Sequence, residues 1–234
     1  MTSRYYVSPP IVDDHATLTG PEAHHLLHVM RSKPGDEVLL FDGSGQEFRA
    51  RIERLARSTV ELAVIALAAV DRELPFDLTL AVALPKGDRQ AWLVEKATEI
   101  GVTRLVPLRT ERSVADPTTG ALERLRRGVI EASKQCGRNR LMEISAACAW
   151  SQLVGHAAHA ATTRLVAHPG GAAIAASAPA AGAVTAAVGP EGGFTDAEIA
   201  EAAAHGWRTI DLGPRLLRVE TAAVALASIL SSRG

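Results

Sequence analysis

The sequence predicts an α/β protein in two parts: a small N-terminal β-barrel, residues 1–72, and a larger domain, residues 73–234, built on a mostly parallel sheet. Three observations support this division. The 234 residues, 47% of them hydrophobic, are enough for two domains with buried cores. The first part consists of short strand-like runs around one helix-like run. From Phe76 onward, strand-like and helix-like runs alternate, which is typical of a parallel sheet covered by helices.

The N-terminal part contains a predicted hairpin. Strand-like runs at 37–41 and 46–54 flank the turn Asp42-Gly43-Ser44-Gly45. Because a second strand follows the turn, the turn closes a hairpin and is not the glycine-rich loop of a Rossmann-type nucleotide site. A charged linker that ends in proline, residues 71–75, then leads into the second part.

The first elements of the second part follow from apolar periodicity and helix stop signals. Gly101 is the expected stop of a helix that begins at Asp88. The stretch 172–187 has ten alanines in sixteen positions, so we expect a plain helix or linker there. The remaining predicted elements are strands at 78–84, 102–107, 143–147 and 163–167 and a helix at 120–137.

Two strand-turn-helix units close the chain. The first has an apolar strand at 184–188, a glycine turn at 189–193, and Thr195 followed three residues later by Glu198, a capping-box start for a helix. The second has a strand at 208–212, a Gly213-Pro214 break and a final helix that ends near Ser232. Ligands of parallel sheets collect at the carboxyl ends of the strands, where both turns lie.

The turn at 189–193 is suited to a ligand that is cationic or neutral and polar. Its three glycines permit close backbone approach and positive φ angles. Its spacing matches neither G-x-G-x-x-G nor a phosphate-binding loop, and the Glu191 carboxylate disfavours an anion. An ordinary glycine-rich connection stays open as the alternative.

Charge and cysteine content narrow the function classes. The net charge is −1, yet residues 121–140 carry six basic and two acidic residues, which is +4 and indicates either a nucleic-acid surface or a solvated helix face. Cys136 and Cys148 lack the spacing of a zinc site, and His24 and His28 have no carboxylate at useful spacing, so we expect no metal.

No apolar run could cross a bilayer and no leader precedes the chain, so we expect a cytoplasmic protein without a membrane partner.

The two C-terminal turns carry a family resemblance. Gly-Pro-Glu-Gly-Gly-Phe at 189–194 and the pattern L-G-x-R-x-L-R-x-E-T-A at 212–222 resemble the bacterial RsmE family, the 16S ribosomal RNA uridine-N3 methyltransferases of the knotted SPOUT class. Weaker motifs along the chain fall in the family's order, such as the segments 25–31, 86–89 and 95–102.

The resemblance implies methyl transfer from S-adenosylmethionine to N3 of uridine 1498 in 16S ribosomal RNA of the 30S subunit. It also implies a PUA-like N-terminal barrel, a trefoil knot and a homodimer. We expect the cofactor to lie against backbone and side chains of both turns and of the neighbouring strand end, at Ala167, His168, Val188, Gly189, Pro190, Glu191, Gly192, Gly193, Leu212, Gly213, Arg215, Leu216, Leu217, Arg218, Thr221 and Ala222.

Catalysis needs a deprotonated uracil imide, and two residues are candidates. Arg218 could stabilise the negative charge that develops on the uracil oxygens. Glu220 is either the base or a helix-capping carboxylate paired with Arg218, and the identity of the base stays open. The expected RNA contacts are basic residues from both parts, Arg31, Lys33, Lys86, Arg89, Arg112 and Arg138. Two alternatives remain: a knotted transfer RNA ribose 2′-O-methyltransferase and a noncatalytic RNA-binding assembly factor.

Overall fold

A computed structural model describes residues 3–114, 116–155, 163–173 and 182–232. Its contacts divide the chain into two units. The first comprises Met1–Glu73 and Ser133–Leu141, and the second comprises Leu74–Ala132 and Met142–Gly234.

The first unit is a β half-barrel of five strands in the order β1-β3-β4-β5-β2. Its apolar side chains pack into one hydrophobic core that includes the fully buried Tyr5, Leu26 and Leu40. The predicted hairpin is confirmed, because β3 and β4 pair antiparallel across the turn. The elements are β1 (Arg4–Tyr6), β2 (His15–Leu18), α1 (Gly20–His24, continued by a π-helical turn at His25–Val29), β3 (Glu37–Phe41), β4 (Glu47–Leu55) and β5 (Val60–Ala68).

The segment 133–141 belongs to the first unit through polar contacts. The Arg138 guanidinium donates to both carboxylate oxygens of Glu73, at 3.1 and 2.5 Å. The Asn139 amide donates to the Val70 carbonyl at 3.0 Å, and the Lys134 ammonium donates to Glu22 at 2.8 Å. These contacts bury Arg138, whose exposed fraction is 3%.

The second unit has a sheet in the order β12-β10-β11-β6-β7-β8, with β9 paired to β7, and every pair is parallel. The predicted alternation of strands and helices is therefore confirmed. The elements are β6 (Leu78–Val82), α2 (Arg89–Ile100), β7 (Arg104–Arg109), α3 (Thr119–Cys136), β8 (Glu143–Ile144), β9 (Cys148–Ala149), α4 (Trp150–Gly155), β10 (Thr163–Ala173), β11 (Val184–Val188), α5 (Asp196–Ala204), β12 (Arg208–Asp211) and α6 (Val219–Ser231).

Helix α2 ends where the sequence predicted. Gly101 adopts φ 99°, and its N–H caps the Ala97 and Thr98 carbonyls. Helices often end at a residue with a left-handed backbone conformation, and glycine adopts this conformation easily. The end of α2 could therefore be identified from the sequence.

The expectation of a helix or linker across 172–187 is wrong at its N-terminal end, whereas at its C-terminal end the strand predicted at 184–188 is confirmed. Strand β10 continues to Ala173 and strand β11 begins at Val184, while residues 174–181 lie outside the described residues. Alanine favours helices, but β11 pairs with β10 on one side and β6 on the other, and Ala186 is fully buried. Pairing and burial in the sheet override the weaker helix propensity of alanine.

The described residues contain neither a candidate membrane span nor a candidate metal cluster. Within them, no helix has the length and apolar character needed to cross a bilayer. The same residues include no group of three or more His, Cys, Asp or Glu side chains that could hold a metal ion. Cys136 and Cys148 are both free thiols.

Candidate functional site

Three parallel strands form the floor of a cavity: β11 and β12 end beside it, and β10 passes it at residues 167–169 and continues to Ala173. In the sheet register, Ala167 of β10 lies opposite Val188 of β11 and Ile210 of β12. The cavity has a volume of about 170 Å³ and opens to solvent. It is lined by Ala167, His168, Pro169, Val188, Gly189, Pro190, Glu191, Gly193, Phe194, Asp211, Leu212, Gly213, Arg215, Leu216, Leu217, Val219 and Ala222.

Most of the predicted cofactor residues therefore line one cavity. Gly192, Arg218 and Thr221 do not line it, although each is adjacent in sequence to a residue that does. Four lining residues were missed by the sequence analysis, namely Pro169, Phe194, Asp211 and Val219. Phe194 and Val219 lie within the two motifs, so their neighbours gave a signal that could have identified them.

Two glycines of the turn are required for different reasons. A Cβ atom on Gly189 would lie 2.9 Å from the Phe194 ring, closer than real side chains approach. That ring cannot easily move, because it is buried and packs against Trp150 with ring centroids 4.5 Å apart. Gly193 instead adopts φ 69°, a conformation that glycine reaches without steric cost. The turn thus brings its backbone to the cavity wall where a side chain would not fit.

The helix after the turn is fixed by the predicted capping box. The Thr195 hydroxyl accepts from the Glu198 N–H at 3.3 Å, and Glu198 accepts from the Thr195 N–H at 2.8 Å. The second oxygen of Glu198 accepts from the Glu111 N–H at 2.9 Å. The buried carboxylate therefore connects the start of α5 to the loop after β7.

Asp211 joins two turns that line the cavity. One of its oxygens accepts from the Gly170 N–H at 2.9 Å and the other from the Gly213 N–H at 2.8 Å. These two backbone hydrogen bonds lower the pKa of the Asp211 carboxyl from its ordinary value. An aspartate two residues before a glycine at a strand end is a known turn signal, and it could have identified Asp211.

The segment after β12 forms the exposed rim of the cavity. Leu216 has an exposed fraction of 96%, although it is a large apolar residue. Arg218 follows as the N-cap residue of α6 in an extended conformation, and its side chain is exposed. The Arg218 guanidinium is therefore open to solvent between two lining residues, Leu217 and Val219.

Glu220 lies in the first turn of the last helix, as one sequence expectation has it, but its ion-pair partner differs. It lies in the first turn of α6 with an exposed fraction of 6%, and it is not among the residues that line the cavity. Its Oε1 is 3.5 Å from Nη1 of Arg89, so its ion-pair partner is Arg89 and not Arg218. Its Oε2 is buried without a hydrogen-bond partner among the described residues. The expected pairing with Arg218 fails because Arg218, as N-cap, is exposed to solvent.

Two of the predicted RNA-contact arginines reach the glycine turn. Nη1 of Arg89 lies 3.7 Å from Oε1 of Glu191. Nη1 of Arg112 donates to the Gly192 carbonyl at 2.7 Å. The turn therefore meets the cavity on one side and basic side chains on another.

The other predicted RNA contacts are distributed over both units. Lys86 is exposed just before α2, and Arg31 and Lys33 are exposed in the first unit. Arg138 must be corrected, because it is buried and its guanidinium is bound to Glu73. The sequence could not distinguish this buried ion pair from a solvated arginine, since Glu73 and Arg138 are 65 positions apart.

The cavity combines the features that an amphipathic cationic ligand needs. Leu217, Val188 and Ala222 provide apolar wall, and Glu191 and Asp211 place two carboxylates at the lining. Glycine backbone at 189 and 193 offers polar groups to a ligand that approaches closely.

Comparisons with known proteins identify close relatives of both units. The RNA methyltransferase PUA domain family matches residues 18–65, and the RNA methyltransferase domain family matches residues 72–231. Ribosomal RNA small subunit methyltransferase E of Synechocystis sp. is 38% identical over 238 residues, covering 98% of this chain and 77% of the relative. The protein of the same name from Bacillus subtilis is 31% identical and covers 92% of this chain and 89% of the relative.

Two solved structures match nearly the whole chain. A methyltransferase from Legionella pneumophila, in complex with the bound cofactor SAM, is 32% identical with a TM-score of 0.91, covering 99% of this chain and 98% of that one. A ribosomal RNA small subunit methyltransferase E from Neisseria gonorrhoeae, bound to S-adenosyl methionine, is 29% identical with a TM-score of 0.89 and the same coverage.

Proposed function

The chain belongs to the family of ribosomal RNA small subunit methyltransferases E, and from this premise we propose that it methylates N3 of uridine 1498 in 16S ribosomal RNA with S-adenosylmethionine as methyl donor. The observation that carries the proposal is the cavity formed by residues 167–169 of β10 and the turns after β11 and β12. Relatives of the same fold are described with this cofactor bound.

The residues that line the cavity fit the chemistry of this cofactor. The backbone at 189–193 and 212–217 would hold the adenine and ribose, and the carboxylate of Glu191 would face a ligand of net positive charge. When bound, the cofactor supplies a methyl group on a positive sulfur, ready for in-line displacement. The task left to the chain is to align that carbon with the base, which can contribute about 7–11 kcal/mol.

Arg218 is the residue we assign to the reacting base. Its guanidinium is exposed at the rim of the cavity, where a uracil that enters from solvent would arrive. A fixed pair of N–H donors there would stabilise the negative charge on the uracil oxygens as N3 loses its proton. Glu220, which is buried and directed to Arg89, receives a positioning role in place of proton transfer.

RNA binding is assigned to the exposed basic residues of both units. We propose residues 1–72 as the PUA-like RNA-binding domain and residues 73–234 as the methyltransferase domain, with a trefoil knot as the family resemblance implies. The proposed RNA contacts are Arg31, Lys33, Lys86, Arg89 and Arg112. N3 lies on the pairing edge of uracil, so the target base must be unpaired or unstacked before reaction.

We also propose that the protein acts as a homodimer in the cytoplasm. The exposed Leu216 at the rim of the cavity supports a dimer, because a second subunit would remove this apolar side chain from water. Small-subunit RNA as substrate supports the cytoplasmic location.

Reverse transcription tests the proposed reaction. Incubation of unmodified 16S RNA or 30S subunits with the protein and S-adenosylmethionine should create a strong polymerase stop at uridine 1498, because an N3 methyl group blocks base pairing. A ribose methyl group would give little or no stop, and an assembly factor without catalysis would give none. Comparison of free RNA with 30S subunits also identifies the preferred substrate.

A further inference from the structure

We propose that Arg89 couples the cofactor cavity to RNA binding, so that the protein holds RNA more tightly with the cationic methyl donor than with the product cofactor. The inference rests on the proposed function and adds a regulation of the same site. It assigns Arg89 a positioning role. The Arg89 guanidinium lies between the carboxylate of Glu191, which lines the cofactor cavity, and the buried carboxylate of Glu220.

The geometry of the shared guanidinium carries the proposal. A single nitrogen of Arg89, Nη1, lies 3.7 Å from Oε1 of Glu191 and 3.5 Å from Oε1 of Glu220. Both distances exceed the range of about 2.7–3.2 Å for an N–H···O hydrogen bond. The guanidinium is therefore attracted to both carboxylates and closely bonded to neither, so a change of charge on one side can shift it.

The two carboxylates respond differently to a ligand. The Glu191 side chain is 44% exposed and Glu191 lines the cavity, so a bound cation would interact with it directly. The Glu220 side chain is only 8% exposed, and its second oxygen is buried without a partner among the described residues. Because an unpaired buried carboxylate is costly, Glu220 needs a positive partner both with and without a ligand in the cavity.

Counting charges gives the direction of the coupling. Glu191, Glu220 and Arg89 sum to two negative charges and one positive, a net −1 that repels the RNA backbone. S-adenosylmethionine carries a net +1, from its sulfonium, ammonium and carboxylate, so the filled site becomes neutral. The product has a neutral sulfur and a net charge of zero, so the site returns to −1. RNA phosphates within a Debye length, roughly 8–10 Å, would sense this difference.

A second contact places basic charge on the same turn. Arg112 donates to the Gly192 carbonyl at 2.7 Å, one residue after Glu191. Both Arg89 and Arg112 are partly or fully exposed, and both hold the turn that lines the cavity. A shift of the turn on cofactor binding would move the two cations that face RNA.

The test measures RNA binding without turnover. An unmodified 16S transcript is titrated with the protein in saturating sinefungin, which carries an amine charge in place of the sulfonium, and in saturating S-adenosylhomocysteine. The wild-type protein should bind RNA about fivefold or more tightly with sinefungin, the lower end of typical coupling between sites. Equal affinities in the two ligands would overturn the proposal.

Variants separate this coupling from a general effect of charge. Glu191→Gln should raise RNA affinity in the absence of any cofactor, because the three-residue site becomes neutral, and should reduce the difference between the ligands to about twofold or less. Arg89→Ala should also lose the difference, whereas Arg89→Lys should retain part of it. Glu123→Gln removes one exposed negative charge from α3 at a residue that does not line the cavity, and should leave the difference intact.

The outcome is distinguishable from failure of the proposed function. Cofactor binding by calorimetry and the polymerase stop at uridine 1498 test that function in the wild-type protein. If both are present and Glu191→Gln keeps the full wild-type difference, the coupling through Arg89 is refuted while the methyltransferase proposal stands.

Discussion

At the scale of single residues, the site depends on backbone groups that only glycine allows to approach a ligand. Gly189 and Gly193 both lie in the turn after β11, yet the first is limited by the Phe194 ring and the second by its φ angle. The sequence identified both glycines from their spacing. It could not identify the ring that limits Gly189, because that contact depends on tertiary packing.

Substitution of Gly189 tests the close approach. Gly189→Ala should force the Phe194 ring aside, at a cost of about 1–3 kcal/mol of stability. The displaced turn should weaken cofactor binding by about tenfold or more, measured by calorimetry. Gly120→Ala is the matched control, since a Cβ atom there meets nothing within 4 Å and the residue lies in α3. Unchanged cofactor affinity in Gly189→Ala would show that the turn accommodates a Cβ atom at this position without moving.

Arg218 is predicted to act on the reaction more than on the cofactor. Arg218→Ala should lower kcat by about 10²–10³, the usual cost of removing one donor to a developing negative charge. Cofactor affinity should change little, because Arg218 does not line the cavity. Arg218→Lys should recover only part of the rate, since an ammonium lacks the planar pair of donors. Equal losses of turnover and cofactor binding would instead place Arg218 in the cavity wall.

The Asp211 carboxylate predicts a dependence on pH. Its pKa is lowered in the folded protein by the Gly170 and Gly213 N–H groups, so its stabilising effect is present above the ordinary value of 3.8. The effect is lost as the pH falls through the lower, folded-state pKa. The melting temperature of wild type should therefore exceed that of Asp211→Asn near neutral pH, and the gap should close as the pH falls below 3.8 and through the lower, folded-state pKa. A gap that persists unchanged once the Asp211 carboxyl is protonated would contradict this role.

At the scale of elements, much of the fold could be predicted from the periodicity of apolar residues and from local signals for turns, helix ends and helix caps. The hairpin around Asp42, the stop of α2 at Gly101 and the capping box of α5 all depend on residues close together in sequence. The extension of β10 beyond residue 167 was obscured by alanine, because its pairing with β12 joins residues that local propensity cannot relate. The same holds for the candidate site. Its turns, which depend on residues close together in sequence, were predicted, whereas its ion pairs, which join distant residues, were not.

Arg138 shows what tertiary contacts add. The expected salt-dependent RNA contact is replaced by a buried pair with Glu73. Arg138→Ala should lower the free energy of unfolding by about 3–5 kcal/mol, because it leaves a carboxylate without its partner. Denaturant unfolding measures this loss, and Arg124→Ala, an exposed arginine of α3, should stay within about 0.5 kcal/mol of wild type. A variant of normal stability with a reduced salt slope of RNA binding would restore the original expectation.

At the scale of the whole molecule, each unit has its own task in the proposed function. The half-barrel presents exposed cations such as Arg31 and Lys33, and the parallel sheet forms the cavity at the carboxyl ends of its strands. Family membership supports the assignment of RNA binding and methyl transfer to the two units. Within the second unit, the turn at 189–193 contacts both the cavity and the basic residues Arg89 and Arg112.

The cofactor is expected to occupy the cavity formed by residues 167–169 of β10 and the turns after β11 and β12. A crystal structure of the protein with S-adenosylmethionine tests it most directly. We expect the adenosyl group against the backbone of Gly189–Gly193 and Leu212–Leu217, with the methyl group directed to the rim at Arg218. A cofactor bound anywhere else on the chain, or turns that separate without enclosing it, would contradict the account.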